Sequence, residues 1–162
     1  MKLALDTSYF MYGFSISPKP EIPQNVLDLF AENDEIGEII FSDLVIFELN
    51  AKTSKILPEC IDLNNRTDLL VKLEQTTKFK LIRSTNSAIW EIACFLRKYH
   101  KDFVDCLHWA TAIEENAQIF VTEDEIIAKL SQKSDFKKEF EKRFKKELPS
   151  ITNYINWIKN IN

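Results

Sequence analysis

The sequence has few glycines, histidines and cysteines, and each shortage excludes a kind of site. Two glycines among 162 residues are too few for a phosphate-binding P-loop or a glycine-rich dinucleotide motif. Two histidines cannot by themselves form a multi-histidine metal centre. The three cysteines lie far apart without a C-x-x-C pair, which argues against disulfides and thiolate zinc sites. The chemistry of this chain must therefore rest mainly on carboxylates.

Long apolar runs are also lacking. No stretch approaches the roughly 20 uninterrupted apolar residues of a membrane span, and the start lacks the apolar region of a secretory signal peptide. The hydrophobic fraction of 45% and the charged fraction of 28% are ordinary for a globular chain. We expect a single domain over residues 1–162, in a reducing cytoplasm and without membrane association.

The negative charges are not evenly distributed. A net charge of −4 argues against coating nucleic acid by bulk attraction, but residues 129–147 carry eight Lys/Arg and four Asp/Glu. Phenylalanines four residues apart predict that this segment is a basic amphipathic helix. Such charge runs are usually solvated faces, and we favour that interpretation over RNA binding. The candidate RNA contacts are Lys137, Lys138, Lys142 and Arg143.

Strand and helix patterns alternate along the chain. Four short strands are predicted at "KLALD", "EIIFS", "FKLIRS" and "AQIFVTED", and "LPSIT" is a candidate fifth. Helices are predicted at "PEIPQNVLDLFAEN", "DLVIFELNAKTSKI" (capped by Ser42), "RTDLLVKLEQTTK", "NSAIWEIACFLRKYH", "DFVDCLHWATAIEEN" and "NYINWIKN" (capped by Thr152). This order predicts a three-layer α/β/α fold with a mainly parallel sheet of four or five short strands.

Two acids follow predicted strands. Asp6 comes directly after the apolar run "LAL", and Asp124 comes just after "IFVT". Ligands of parallel α/β sheets bind beyond the carboxyl ends of the strands, so both carboxylates are expected at the ligand-binding edge. A helix N-cap is the alternative role for Asp6.

A third acid, Glu48, lies on a predicted helix that carries apolar residues. Leu44, Phe47 and Ala51 surround it at helical spacing, which predicts that its carboxylate faces inward. An ionised carboxylate in a core is costly unless it is paired or coordinated. The alternative is that the side chain reaches water or pairs with Lys52, four residues later.

The fourth acid, Asp105, belongs to a helix that is apolar on nearly every side. Trp109 and Ala112 continue its face and are poor choices for a solvated surface. Asp102 suits the helix start and is expected to cap it. His108, on the same helix, is expected to be a packed core residue.

All four acids are predicted at positions where an ionised carboxylate is energetically unfavourable, and the sequence indicates no matching buried bases. Clustered carboxylates raise one another's pKa, and hard divalent cations such as Mg²⁺ relieve that repulsion. Such ions activate water and stabilise the leaving oxygen in phosphodiester cleavage. The residues therefore predict metal-dependent hydrolysis of a phosphate ester, by a nuclease for RNA or DNA or by a phosphatase.

The motifs "DTS", "ELNAK", "DCLHWATA" and "VTED" resemble, in this order, the four acidic motifs of PIN domains. The sequence is most similar to the VapC-like toxins of prokaryotic type II toxin–antitoxin pairs. The resemblance implies a Mg²⁺- or Mn²⁺-dependent endoribonuclease whose metal ligands are Asp6, Glu48, Asp105 and Asp124. It implies supporting hydroxyls on Thr7 or Ser8 and on Thr122. It also implies a homodimer that is inhibited by an antitoxin, whose tail covers the acidic pocket.

Two features depart from that family pattern. Glu123 adds an acid beside Asp124, so the fourth ligand could be shared or exchanged between them. The basic segment after "VTED" is longer than in compact toxins. A standalone RNA-processing nuclease of the same superfamily and a non-catalytic PIN binding module are therefore the alternatives. The choice of RNA over DNA comes from the resemblance alone.

Overall fold

The computed structural model describes residues 1–16, 19–56 and 78–161. Its strands are β1 (Lys2–Leu5), β2 (Glu38–Ser42), β3 (Phe79–Ile82), β4 (Ile119–Val121) and β5 (Ser150–Thr152). Its helices are α1 (Thr7–Gly13), α2 (Val26–Glu32), α3 (Leu44–Ile56), α4 (Ser87–Leu96), α5 (Phe103–Glu114), α6 (Glu125–Ser131), α7 (Ser134–Phe144) and α8 (Tyr154–Ile161). Within these ranges, no helix has the length and apolarity needed to cross a bilayer.

The five strands form one parallel sheet in the order β3-β2-β1-β4-β5. The first strand of the chain is therefore the central one, and its Leu3 lies opposite Ile39 on one side and Ile119 on the other. Strands covered on both faces are apolar nearly throughout, as "KLAL" and "EIIFS" are. The predicted parallel α/β fold is confirmed.

Alternate residues of the strands enter two separate cores. Ala4, Ile40 and Phe120 face the core built with α4, α5 and α7. Leu3 and Ile39 face the opposite core, built with α1, α2, α3 and α8. This period-two alternation, with helices on both faces, gives the predicted three layers.

The predicted helix starts are partly right. The Ser42 hydroxyl accepts a hydrogen bond from the backbone N–H of Leu44 at 3.2 Å, as expected for a cap of α3. Thr152 does not cap α8, because it is still a strand residue paired with Val121. The cap is Asn153, whose side-chain oxygen accepts from the N–H of Asn156 at 2.9 Å. The helix predicted at "RTDLLVKLEQTTK" lies, except for its last residue, outside the described residues.

The basic segment 129–147 contains the end of α6 and all of α7. Phe136 and Phe140 are buried and pack against Phe95, so the amphipathic helix is confirmed. Arg143 lies over the Phe95 ring, 5.6 Å from its centroid, and pairs with Glu91. Arg143 is therefore engaged in packing α7 on α4. The exposed candidates for RNA contacts that remain on this face are Lys137, Lys138 and Lys142.

Removal of a buried phenylalanine ring from α7 should destabilise the protein far more than removal of an exposed one. Phe140 has no exposed surface, whereas Phe47 is 65% exposed. We expect Phe140→Ala to lower the free energy of unfolding by about 3–5 kcal/mol in urea denaturation. Phe47→Ala, the same change on the surface, should cost less than about 1 kcal/mol. Equal losses would show that α7 does not pack as described.

Candidate metal centre

The four predicted acids all lie at the carboxyl edge of the sheet. Asp6 follows β1, and its backbone N–H donates to the carbonyl of Val121 at 3.1 Å, continuing the pairing with β4. Asp124 follows β4 and precedes α6. Glu48 lies on α3, which begins two residues after β2, and Asp105 lies in the first turn of α5. The parallel topology therefore brings acids from distant parts of the chain to one edge.

Asp6 occupies the N-cap position of α1 but its carboxylate makes no capping hydrogen bond. Its Oδ2 instead accepts from the hydroxyl of Thr122 at 2.8 Å and from that of Ser8 at 3.4 Å. Asp124 behaves differently, because its Oδ1 caps α6 by accepting from the N–H groups of Ile126 and Ile127. Asp6 is only 8% exposed, and its carboxylate is available for a role other than capping.

Glu48 reaches the site for a reason that differs from the predicted one. The helix α3 buries Val45 and Leu49, whereas Phe47 and Ala51 are exposed, so the predicted apolar stripe through Glu48 is wrong. Glu48 lies beside the buried face, and its side chain is 21% exposed.

The Glu48 carboxylate is held by two polar side chains. Its Oε2 accepts from the Thr7 hydroxyl at 2.5 Å and lies 2.9 Å from Nε2 of His108. The same His108 nitrogen lies 2.9 Å from the Thr7 oxygen. The ion-pair partner of Glu48 is therefore His108, whereas Lys52 is exposed.

Asp102 and Asp105 have the separate roles that the sequence predicts for them. The carboxylate of Asp102 caps α5, accepting from the N–H of Val104 at 2.8 Å. Asp105 lies one turn before Trp109, which is fully buried, and its own side chain is 29% exposed. Asp105 is thus at the boundary between the core and the sheet edge.

Both histidines lie at the site, so the expectation of no buried bases there is wrong. Nε2 of His100 lies 2.9 Å from Oδ2 of Asp124 and 3.9 Å from Oδ2 of Asp105. His108 pairs with Glu48, and both imidazoles are buried. The sequence did contain a signal for His108, because a residue three positions after Asp105 lies on the same face of the helix. His100 had none, because it is the last residue of the predicted helix "NSAIWEIACFLRKYH" and belongs to none of the four acidic motifs.

The histidines and acids form two groups, one around His100 and the other around the His108–Glu48 pair. We call His100, Asp105 and Asp124 the His100 cluster, because each has a ligand atom within 4.8 Å of the others. Among the described residues it is the one group of three or more potential metal ligands that meets this spacing. Asp6 and Glu48 lie outside it, and Glu48 is held by His108 and Thr7 instead.

Electrostatics connects the two groups. Burial, together with the negative charges of Asp6 and Asp102, raises the pKa of Asp105 to about 7. Burial also raises the pKa of Asp6. Burial acts on Glu48 in the same direction, but the hydrogen bonds from His108 and Thr7 outweigh it, and its pKa is lowered. Two of the four acids are therefore held in an environment that disfavours their charged forms.

Both imidazoles respond to the acids around them. Burial alone would lower their pKa values, because it penalises the cation. For His100, the Asp102 backbone and the Asp124 carboxylate outweigh burial, and the pKa is raised. For His108, the Glu48 and Asp6 carboxylates do the same. In the described part of the chain, no Lys or Arg forms an ion pair with any of the four acids.

Glu123 is committed elsewhere. One of its oxygens accepts from the Tyr9 hydroxyl at 2.6 Å, and the other accepts from Nζ of Lys19 at 2.5 Å. The Tyr9 oxygen in turn accepts from the backbone N–H of Tyr154 at 3.0 Å. Burial raises the pKa of Glu123, but the bonds from Lys19 and Tyr9 outweigh it and lower the pKa. Glu123 thus ties the segment after α1 and the start of α8 to the end of β4.

The raised pKa of Asp105 predicts a specific pH dependence in a chelator. Below about pH 4 the group is protonated in both folded and unfolded chains. As the pH rises toward 7 only the unfolded chain loses the proton, so stability falls across this window. We expect Asp105→Asn to raise the free energy of unfolding at pH 8 by more than about 1 kcal/mol, and to have little effect at pH 4.

The measurement is urea denaturation in EDTA at the two pH values. Asp34→Asn is the matched control, because Asp34 is exposed and distant in sequence from the acids. A stability gain for Asp105→Asn that is equal at both pH values would contradict the electrostatic origin.

The comparisons with known proteins agree with this architecture. The family model described as "PIN domain" matches residues 3–133. The fold is also similar to the crystal structure of VapBC2 from Rickettsia felis bound to a DNA fragment from their promoter, with 21% identity and a TM-score of 0.54. That similarity covers 94% of this chain and 98% of the other. No curated protein matches the sequence. Because the family model covers most of the sequence, the chain belongs to the PIN domain family.

Proposed function

We propose that this protein is a divalent-metal-dependent endoribonuclease that acts in the cytoplasm as the toxin of a toxin–antitoxin pair. The observation that carries the proposal is the pair of acids Asp6 and Asp105. Both have raised pKa values, and neither has a Lys or Arg partner among the described residues. They lie at the edge where a parallel sheet binds ligands. Members of the PIN domain family are generally nucleases, which supports a hydrolytic role.

The donor set fits a hard divalent cation. Carboxylate oxygens are the ligands that Mg²⁺ and Mn²⁺ accept, and a cation would compensate the charge that burial now disfavours. The residues that would hold the ion are Asp6, Glu48, Asp105 and Asp124. When bound, such an ion supplies a more acidic water and stabilises the leaving oxygen of a phosphodiester.

The remaining polar residues would position the acids. Thr122 donates to Asp6, and Thr7 donates to Glu48, so each hydroxyl fixes the orientation of one carboxylate. His108, on α5, contacts the same Glu48 oxygen at 2.9 Å. Ser8 makes a longer contact with Asp6 and would contribute less. Preorganised carboxylates of this kind lower the cost of gathering negative charge around a cation.

The toxin assignment rests on the motifs and on the structural neighbour. The motifs resemble those of VapC-like toxins, and the neighbouring structure is a VapBC2 assembly on promoter DNA. We infer that a cognate antitoxin covers the acidic edge of this chain, and that the chain forms a homodimer. A standalone RNA-processing nuclease is the alternative. A non-catalytic binding module is disfavoured, because a scaffold gains nothing from burying carboxylates with raised pKa values.

Neutralising Asp6 should abolish RNA cleavage. We expect Asp6→Asn to reduce the cleavage rate of single-stranded RNA in Mn²⁺ or Mg²⁺ by at least about 100-fold. Loss of a residue that merely hydrogen-bonds to a metal ligand already lowers metal affinity or activity by about 10- to 100-fold. Excess EDTA should have the same effect on the wild type. Asp102→Asn is the matched control, since asparagine caps helices as well as aspartate does. Full activity of Asp6→Asn, or of the wild type in EDTA, would contradict the proposal.

Growth distinguishes a toxin from a processing enzyme. Induced expression of the wild type in a bacterial host should arrest growth, whereas Asp6→Asn expressed to the same level should not. Asp102→Asn should arrest growth as the wild type does. Normal growth with active wild-type enzyme would favour the standalone nuclease over the toxin.

A further inference from the structure

A buried histidine faces two of the proposed metal ligands, although it belongs to none of the four acidic motifs. We propose that His100 is a nitrogen ligand of the metal held by Asp105 and Asp124, and that it makes the site prefer Mn²⁺ to Mg²⁺. This inference rests on the proposed function, because both require a divalent ion at the acids. It adds a residue to the site and assigns the identity of the ion.

The spacing of the ligand atoms suits one shared ion. Bonds of about 2.1 Å in octahedral geometry separate neighbouring ligand atoms by about 3.0 Å and opposite ones by about 4.2 Å. Nε2 of His100 lies 2.9 Å from the Asp124 oxygen and 3.9 Å from the Asp105 oxygen. Both distances fall close to that interval. All three ligand atoms lie within 4.8 Å of one another, so they can converge on one ion.

The other ring nitrogen has a backbone carbonyl within reach, as the second nitrogen of a metal-binding histidine usually does. Ligating imidazoles usually donate their second N–H to a carboxylate or backbone carbonyl, which fixes the tautomer and the ring orientation. Nδ1 of His100 lies 3.1 Å from both the carbonyl oxygen and the backbone nitrogen of Asp102, so it can donate to the first or accept from the second. In the tautomer that donates to the carbonyl, Nε2 carries a lone pair directed at the two carboxylates. Burial of the ring leaves it little freedom to point elsewhere.

A mixed nitrogen and oxygen donor set distinguishes between the two candidate ions. Mg²⁺ prefers oxygen ligands and retains its waters, whereas imidazole suits first-row transition metals. Mn²⁺ accepts both carboxylates and imidazole. The His100 cluster, with one nitrogen and two carboxylates, therefore favours Mn²⁺.

The second histidine is not placed to do the same. Nε2 of His108 contacts one carboxylate, that of Glu48, and the Thr7 hydroxyl. Among the described residues, no group of three closely spaced potential ligands includes His108. Its Nδ1 is buried without a hydrogen-bond partner in the described part of the chain. Because the whole sequence has two histidines, an imidazole signal from a bound ion can come only from His100 or His108. This makes the assignment accessible to spectroscopy.

The test is pulsed electron paramagnetic resonance of the full chain loaded with one equivalent of Mn²⁺, without RNA. We expect ¹⁴N modulation from a coordinated imidazole in the wild type, changing to the ¹⁵N pattern when histidine is ¹⁵N-labelled. His100→Gln should lose the modulation, and His108→Gln should retain it. If His100→Gln fails to fold, the labelled wild type still shows whether a histidine coordinates, and the spectrum of His108→Gln then shows which one. A wild-type spectrum without nitrogen modulation, or a signal that disappears only in His108→Gln, would overturn the proposal.

Calorimetric titration gives an independent readout. The ratio of the Mg²⁺ to the Mn²⁺ dissociation constant should fall by at least about tenfold in His100→Gln. Tenfold is the lower end of the loss in metal affinity on mutation of residues that hydrogen-bond to metal ligands. An unchanged ratio would contradict a role in selectivity. If Mn²⁺ binds and RNA is cleaved but no nitrogen signal appears, the inference alone fails. If no divalent ion binds the wild type, the proposed function fails as well.

Discussion

The unfavourable burial of negative charge at the sheet edge is the constraint on which the site depends. Burial raises the pKa of both Asp6 and Asp105, and the negative charge of Asp6 contributes to the shift at Asp105. A fold selected for stability alone would replace them, since unpaired buried charge is costly. Their retention makes sense if a cation completes the site. Stability and function therefore oppose each other in the ion-free protein.

The fold accommodates this cost by surrounding the edge with fixed partners. Asp6 directly follows β1, the central strand, and its backbone N–H donates to Val121 of β4. The hydroxyls of Thr122 and Thr7 donate hydrogen bonds to the carboxylates of Asp6 and Glu48, respectively. Each histidine pairs with a different acid. The Tyr9–Glu123 hydrogen bond ties α1 to the end of β4. These contacts thus connect α1, α3 and α5 at the carboxyl edge of the sheet.

Sequence patterns predicted the strands, the parallel sheet and the amphipathic α7, because apolar periodicity reflects burial directly. They were less reliable for polar contacts, which depend on tertiary placement. Phe47 suggested an inward stripe but is exposed, and Glu48 reaches the site through Thr7 and His108. His100 could not be found, since only the meeting of separate segments brings it to Asp124. The predicted ligand roles of the four acids remain predictions.

Diffraction from crystals grown with Mn²⁺ tests the central claim most directly, because anomalous scattering locates the ion without reference to activity. The account predicts one or more anomalous peaks at the carboxyl edge of the sheet. At least one of these ions should be coordinated by the carboxylate of Asp105 and by a second of the four predicted acids. The account would be contradicted if well-ordered crystals in a saturating concentration of Mn²⁺ showed no anomalous peak among Asp6, Glu48, Asp105 and Asp124.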